Sequence, residues 1–248
     1  MKGLIAIVMS LIAIPMSCMF CMVPPKNLGV HSTQSDYQTF VSTGGWQISE
    51  LKPGASEGQA PGQDGQTSGQ ISGQEGKSVQ FTGTREVKAT RTSEQLTALA
   101  NSSDLKAWRY YPVQNVQIKI NNDGSVETSG RIQSDKLFAG LSRPGIDITP
   151  EEQGYVNDYG KFAKGNPAFY IKGTGGVTNN QMSINLSKVE LGGISVPAGV
   201  MGEVNNYVRS LVQRKIPQVP GLNIRSLTFQ NGKMNFDGTV PDKIYMLH

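Results

Sequence analysis

SLTFQNGKMNFDGTV, residues 226–240, alternates apolar and polar positions on both sides of Asn231-Gly232. Leu227 and Phe229 lead into the dipeptide, Met234 and Phe236 lead out of it, and Gly238 follows. A period of two places every second side chain on one face of a strand. Asn-Gly is the favoured centre of a tight hairpin because both central positions need a positive φ. Residues 115–132, NVQIKINNDGSVETSGRI, repeat the design with one extra turn residue. Ile118 and Ile120 match Leu227 and Phe229, Asp123-Gly124 matches Asn231-Gly232, Val126 matches Met234, and Gly130 matches Gly238. Two hairpins are therefore expected as sections of one curved sheet. Gly130 and Gly238 are expected where a missing side chain lets backbones approach closely.

Residues 197–215, PAGVMGEVNNYVRSLVQRK, precede the second hairpin. Val200, Val204, Val208, Leu211 and Val212 form an apolar stripe at helical spacing, with Glu203, Asn206, Arg209 and Gln213 elsewhere. Arg214 and Lys215 complement the C-terminal dipole, and Pro217 and Pro220 end the helix. Upstream, residues 79–84 read as a strand, and Thr92 or Ser93 caps a short helix carrying Leu96 and Leu99. Thr149, Pro150 and Glu152 make a capping box for a helix bearing Tyr155, Tyr159 and Phe162. Residues 167–172 and 182–191 alternate as strands around a turn at 175–180. The expected fold class is α+β: a strongly curved antiparallel β-sheet packed on one long amphipathic helix, plus short helices.

Residues 3–23 carry no charge and follow Lys2. Their helical length of about 30 Å suffices to span a hydrocarbon core. Three readings stay open: an uncleaved signal-anchor or transmembrane segment, a lipoprotein signal with Cys18 acylated, and a cleaved export signal. All three place the rest of the chain on the extracytoplasmic side of a cell membrane, in a bacterial envelope. Residues 24–51 lack a periodic pattern and read as a stalk. Residues 52–78 are rich in Gly, Gln, Ser and Pro and cannot bury enough apolar surface to offset the entropy of ordering. The expected division is a signal or anchor segment at 1–25, a disordered stalk and linker at 26–78, and an α+β domain at 79–248.

The residues exclude more chemistry than they offer. His31 and His248 are the only histidines, so a His-dependent triad or His-rich metal site inside the domain is ruled out. Both cysteines, Cys18 and Cys21, lie in the apolar segment, leaving the domain without thiols. The glycine-rich stretch 173–176 has no Lys-Ser/Thr after it and reads as a hairpin loop rather than a phosphate cradle. Asp147, Glu151 and Glu152 offer carboxylates, but their place at a helix start favours capping over acid–base work. A net charge of +4 without any basic run gives no nucleic-acid footprint. No enzyme activity, cofactor or metal is expected.

Residues 189–241, from VELGGISVPAGV through IRSLTFQNGKMNFDGTVP, resemble the C-terminal part of bacterial envelope proteins of the tubular lipid-binding (TULIP-like) group. The periplasmic accessory proteins linked to lipomannan elongation are the kin in view. The resemblance rests on a strand leading to Gly-Gly and Val-Pro, the long helix, Pro-Gly-Leu, and the closing hairpin. It implies a lipid or acyl-chain ligand held in an apolar groove between helix 197–215 and the sheet. The walls of that groove would be Val200, Val204, Val208, Leu211, Val212, Phe229, Met234 and Phe236. The function expected is that of a membrane-tethered, extracytoplasmic lipid-binding or lipid-handling protein. The alternative is a cell-surface scaffold that binds protein or glycan with a fully packed core.

Overall fold

The computed structural model describes residues 23–44, 47–51, 79–141 and 165–247, together with 150 and 154. The elements are α1 (Gln34–Ser42), β1 (Gln47–Leu51), β2 (Val79–Thr82), β3 (Arg85–Thr92), α2 (Ser93–Ala100), α3 (Ser103–Ala107), β4 (Val113–Ile120) and β5 (Val126–Ile132). They continue with α4 (Ser134–Leu141), β6 (Ala168–Thr178), β7 (Gln181–Leu191), β8 (Ile194–Ser195), α5 (Met201–Lys215), β9 (Asn223–Gln230), β10 (Lys233–Val240) and β11 (Lys243–Leu247). The class is α+β, with a large antiparallel sheet that does not close into a barrel. Short 3-10 turns at Ala198–Val200 and Ile216–Gln218 extend α5 at both ends.

Both expected hairpins form. β4 pairs with β5, and β9 with β10, each antiparallel. Asn231 and Gly232 have φ of 51° and 71°, the two left-handed positions that the Asn-Gly turn requires. In the other turn Gly124 takes φ 81°, and the Asp123 carboxylate accepts hydrogen bonds from the Ser125 amide and hydroxyl.

β6 organises the sheet. One of its edges pairs with β7 from Phe169 to Thr178. Its other edge is shared: residues 168–173 pair with β5, and Val177 and Thr178 pair with β9. Two arms therefore branch from one strand, β5–β4 and β9–β10–β3, and their turns abut. The expected loop at 173–176 is corrected here, because these glycines lie within β6 and the turn is Asn179-Asn180. A Cβ at Gly173 would lie 2.7 Å from the Asn185 carbonyl oxygen, and one at Gly176 would lie 2.7 Å from that of Leu227. Glycine is needed at the fork because neighbouring backbones leave no room for a side chain.

Two edge strands of the sheet, β4 and β7, each have a helix lying alongside. α2 bonds β4 rung by rung. The Ser93 hydroxyl accepts from Ile120 N–H, the Thr97 hydroxyl accepts from Ile118 N–H at 2.9 Å, and the Asn101 amide both accepts from Val116 N–H and donates to its carbonyl. The geometry is commensurate. Four helical residues rise about 6 Å and two strand residues about 6.6 Å, so every fourth helix position meets every second strand position. A capping box between Thr92 and Gln95 starts α2 in register with that ladder.

Residues 23–44 correct the expectation of a disordered stalk beginning at 26. Leu28 and Val30 are buried with Tyr170, and the Ser129 hydroxyl donates to the Lys26 carbonyl at 2.5 Å. Thr33 and Asp36 form a capping box for α1, whose Phe40 is buried. β1 pairs in parallel with β11, and β11 with β2, in a second, three-stranded sheet. These segments lack sequence periodicity because each contributes only one or two anchors to a surface made elsewhere. The linker 52–78 lies outside the described residues, as do Cys18, Cys21, most of the capped helix around 150–162, and the Asp147, Glu151 and Glu152 carboxylates.

The transmembrane and signal-anchor expectation is also corrected. Among the described residues no helix is long and apolar enough to cross a membrane. α5, with 15 residues, reaches only about 22 Å and carries Glu203, Arg209, Arg214 and Lys215. Residues 3–22 lie outside the described part.

On the face that receives residues 23–31, the Tyr170 hydroxyl donates to Glu127 at 2.6 Å, and Lys26 stands 3.8 Å over the Tyr170 ring. The Tyr170 bond holds the Glu127 carboxyl below its ordinary value of 4.5, helped by Asn121, Lys172 and Lys26 and opposed by burial. A depressed folded-state value stabilises above the unfolded pKa and is lost as pH falls through the folded one. Tyr170→Phe is therefore expected to cost about 1 kcal/mol at pH 7. Urea titrations should show that deficit shrinking below about pH 4. A deficit unchanged at low pH would contradict the assignment.

Candidate functional site

Cross-strand partners share a face of the sheet, so the register defines one apolar surface from end to end. Ala89, Phe236, Leu227, Val177 and Met182 form one row across β3, β10, β9, β6 and β7. Met234 and Phe229 stand side by side in the next row, with Arg91 beyond Met234. Leu186, Gly173, Val126 and Ile120 continue the same face into the other arm. The opposite face carries Lys88, Thr90, Asn235, Asp237, Lys172 and Glu127, which excludes it as an apolar site.

The eight expected groove residues divide in two. At the C-terminal end of α5, Val212 packs with Phe236 against the buried cluster of Val177, Ile216 and Ile224, joined by Met182, Leu222 and Leu227. Val204 is buried, 7 % exposed. These three residues contribute to packing. Val200, Val208, Leu211, Phe229 and Met234 are half-buried. Phe229 and Met234 thus offer apolar surface beside the filled end of the sheet. The residues that sequence reading missed on this face are Leu186, Ile184 and Val126. Their alternation was legible, but only the pairing register shows that they continue the Phe229–Met234 surface.

α5 is placed by the second edge ladder. The Asn205 amide accepts from Leu186 N–H at 2.6 Å and donates to the Leu186 carbonyl at 3.2 Å. Eight residues on, the Gln213 amide accepts from Met182 N–H at 3.0 Å and donates to the Asn180 carbonyl at 2.8 Å. Between these rungs lies an open concavity of about 530 Å³ lined by Gly175, Met182, Ser183, Ile184, Asn185 and Arg209, with Thr174 at its rim. A second depression, about 280 Å³, lies on the polar side between β3, β9 and β10, beside the ion pairs of Arg225 with Glu86 and Asp237. Among the described residues no group of three or more His, Cys, Asp or Glu gathers to hold a metal.

No family model, curated protein or solved structure matches this chain.

Proposed function

We propose that this chain is a non-enzymatic, extracytoplasmic protein that binds an amphiphile, of the lipid acyl-chain kind, on the apolar face of its large sheet. The observation carrying this reading is the set of half-buried apolar side chains on one face of the sheet, Phe229 and Met234 in one arm and Ile184 and Leu186 on β7, connected through the Leu227–Val177–Met182 row and flanked by α5. None of these four half-buried side chains packs on the buried cluster of Val177, Ile216 and Ile224. Register shifts at Lys172/Gly173 and Asp237/Gly238 favour a bent sheet around the helix, since bulges bend and twist the strand that carries them. The resemblance of residues 189–241 to tubular lipid-binding proteins points the same way.

A chain of sixteen carbons offers about 0.8 kcal/mol per buried methylene. Covering half of it supplies about 6 kcal/mol before the costs of association. Full-length protein is expected to enhance the fluorescence of cis-parinaric acid saturably, at micromolar concentration. Phe229→Ser together with Met234→Ser should weaken binding at least tenfold, with melting monitored to separate lost affinity from lost fold. Absence of binding to this probe and to phospholipid vesicles would remove the reading and favour a scaffold role.

A further inference from the structure

The two edge ladders follow one rule and differ at one rung. On α2, positions 93, 97 and 101 bond Ile120, Ile118 and Val116, and all three rungs are filled. On α5, positions 205 and 213 bond Leu186 and Met182, and the position between them is Arg209. Its strand counterpart is Ile184. The β6–β7 register runs without a shift from Gly173↔Leu186 to Thr178↔Gln181. Because Leu186 and Met182 turn their N–H groups outward to α5, the alternation of an antiparallel pair turns Ile184 N–H outward as well. Among the described residues no side chain bonds it. Arg209 is exposed, forms no ion pair among the described residues, and lines the 530 Å³ concavity with Ile184. No carboxylate lines that concavity, while the Asn185 amide adds a neutral donor to its wall.

We infer that this open rung seats the anionic head, a carboxylate or phosphate, of the amphiphile whose chain lies on the adjoining apolar face. The inference rests on the apolar-face reading above. A planar, permanently charged guanidinium beside a free backbone N–H makes a two-sided receptor for an oxyanion. Ile184 belongs to both surfaces: its side chain shares the face of Leu186 and Met182, and its N–H opens to the concavity. A head group bound there therefore enters the apolar row at Ile184.

A glutamine at 209 would resemble the amides at 205 and 213 and close the ladder on Ile184. Arg209→Gln is thus expected to raise the melting temperature while removing the preference for an anionic head. The test titrates full-length protein and the variant with cis-parinaric acid and with its uncharged methyl ester. Wild type should bind the acid about tenfold more tightly than the ester, the size of one charge-assisted contact, and less so at high salt. The variant should bind both alike, at the ester's affinity. Inorganic phosphate weakening the acid but not the ester would extend the seat to phosphate heads. An acid preference that survives in Arg209→Gln overturns the assignment of the head group and leaves the apolar face standing. Equal binding of acid and ester by wild type does the same. Failure of both probes overturns the apolar-face reading, and this inference with it.

Discussion

Gly238→Ala is expected to lower stability by about 3 kcal/mol, or about 10 °C in the melting temperature of a domain this size. A Cβ at Gly238 would stand 2.1 Å from the Asn223 carbonyl oxygen, 3.2 Å from the carbonyl carbon and 3.2 Å from the Ile224 Cα. All three are backbone atoms, so no rotamer change relieves the overlap. The contact sits where the β9–β10 register shifts between Asp237 and Gly238, and relief would require β9 to move away from β10. That would strip the Thr239 hydroxyl from the Gly221 carbonyl and loosen Ile224 in its cluster with Val177 and Ile216. Gly202→Ala supplies the control, because a methyl there meets nothing within 4 Å. Thermal unfolding of the two variants decides the matter. Equal melting temperatures would show that the close approach is not maintained in solution.

Arg91→Ala carries the second large effect, about 3 kcal/mol, with release of α1 from the sheet. Arg91 is 3 % exposed, and among the described residues no carboxylate pairs with it. Its guanidinium donates to the Thr43 carbonyl at 2.7 Å and to the Thr43 hydroxyl, and it lies 4.7 Å from the Phe40 ring centroid. Burial lowers its pKa, and the charge of Arg85 adds to that, yet an arginine stays protonated throughout the accessible range. The buried cation is thus held by neutral oxygens and a π face, all from the end of α1. Truncation removes both hydrogen bonds and the ring contact and leaves a cavity beneath Phe40. Arg91→Lys should recover only part of the loss, since one ammonium on a thinner stem cannot match the planar fork. Limited proteolysis at residues 42–47 should accelerate in the order wild type, lysine, alanine. Identical digestion of all three would refute the clamp.

The resistance of α1 to prediction has a physical origin. Its nine residues carry one buried side chain, Phe40, so no stripe announces the helix. What orders it lies far away in sequence: Arg91, which bonds Thr43 from a strand that itself reads as nondescript, and Asp104, which accepts from the Tyr37 hydroxyl. By contrast, the hairpins at 115–132 and 226–240 were legible because turn chemistry and strand period are local properties. α5 was legible for the same reason, from its valines and its closing prolines. The eight groove residues stood between these cases. Their apolarity was evident, but which of them fill the core, as Val204, Val212 and Phe236 do, depends on where α5 lies.

That placement is where local and tertiary information part. Residue order alone determined the α+β class, both hairpins and the glycines that permit close approach, because each follows from steric rules acting within a few residues. Only the tertiary structure decided that β6 forks into two arms, that residues 23–44 belong to the fold, and that α5 lies along the β7 edge. Asn205 and Gln213 look like ordinary polar positions of an amphipathic helix. They become a ladder only when a strand with matching rise lies beside them, and Arg209 becomes a gap only when the ladder exists. Side-chain to backbone bonds across an edge leave no period in the sequence, since any short amide or hydroxyl at every fourth position satisfies the geometry.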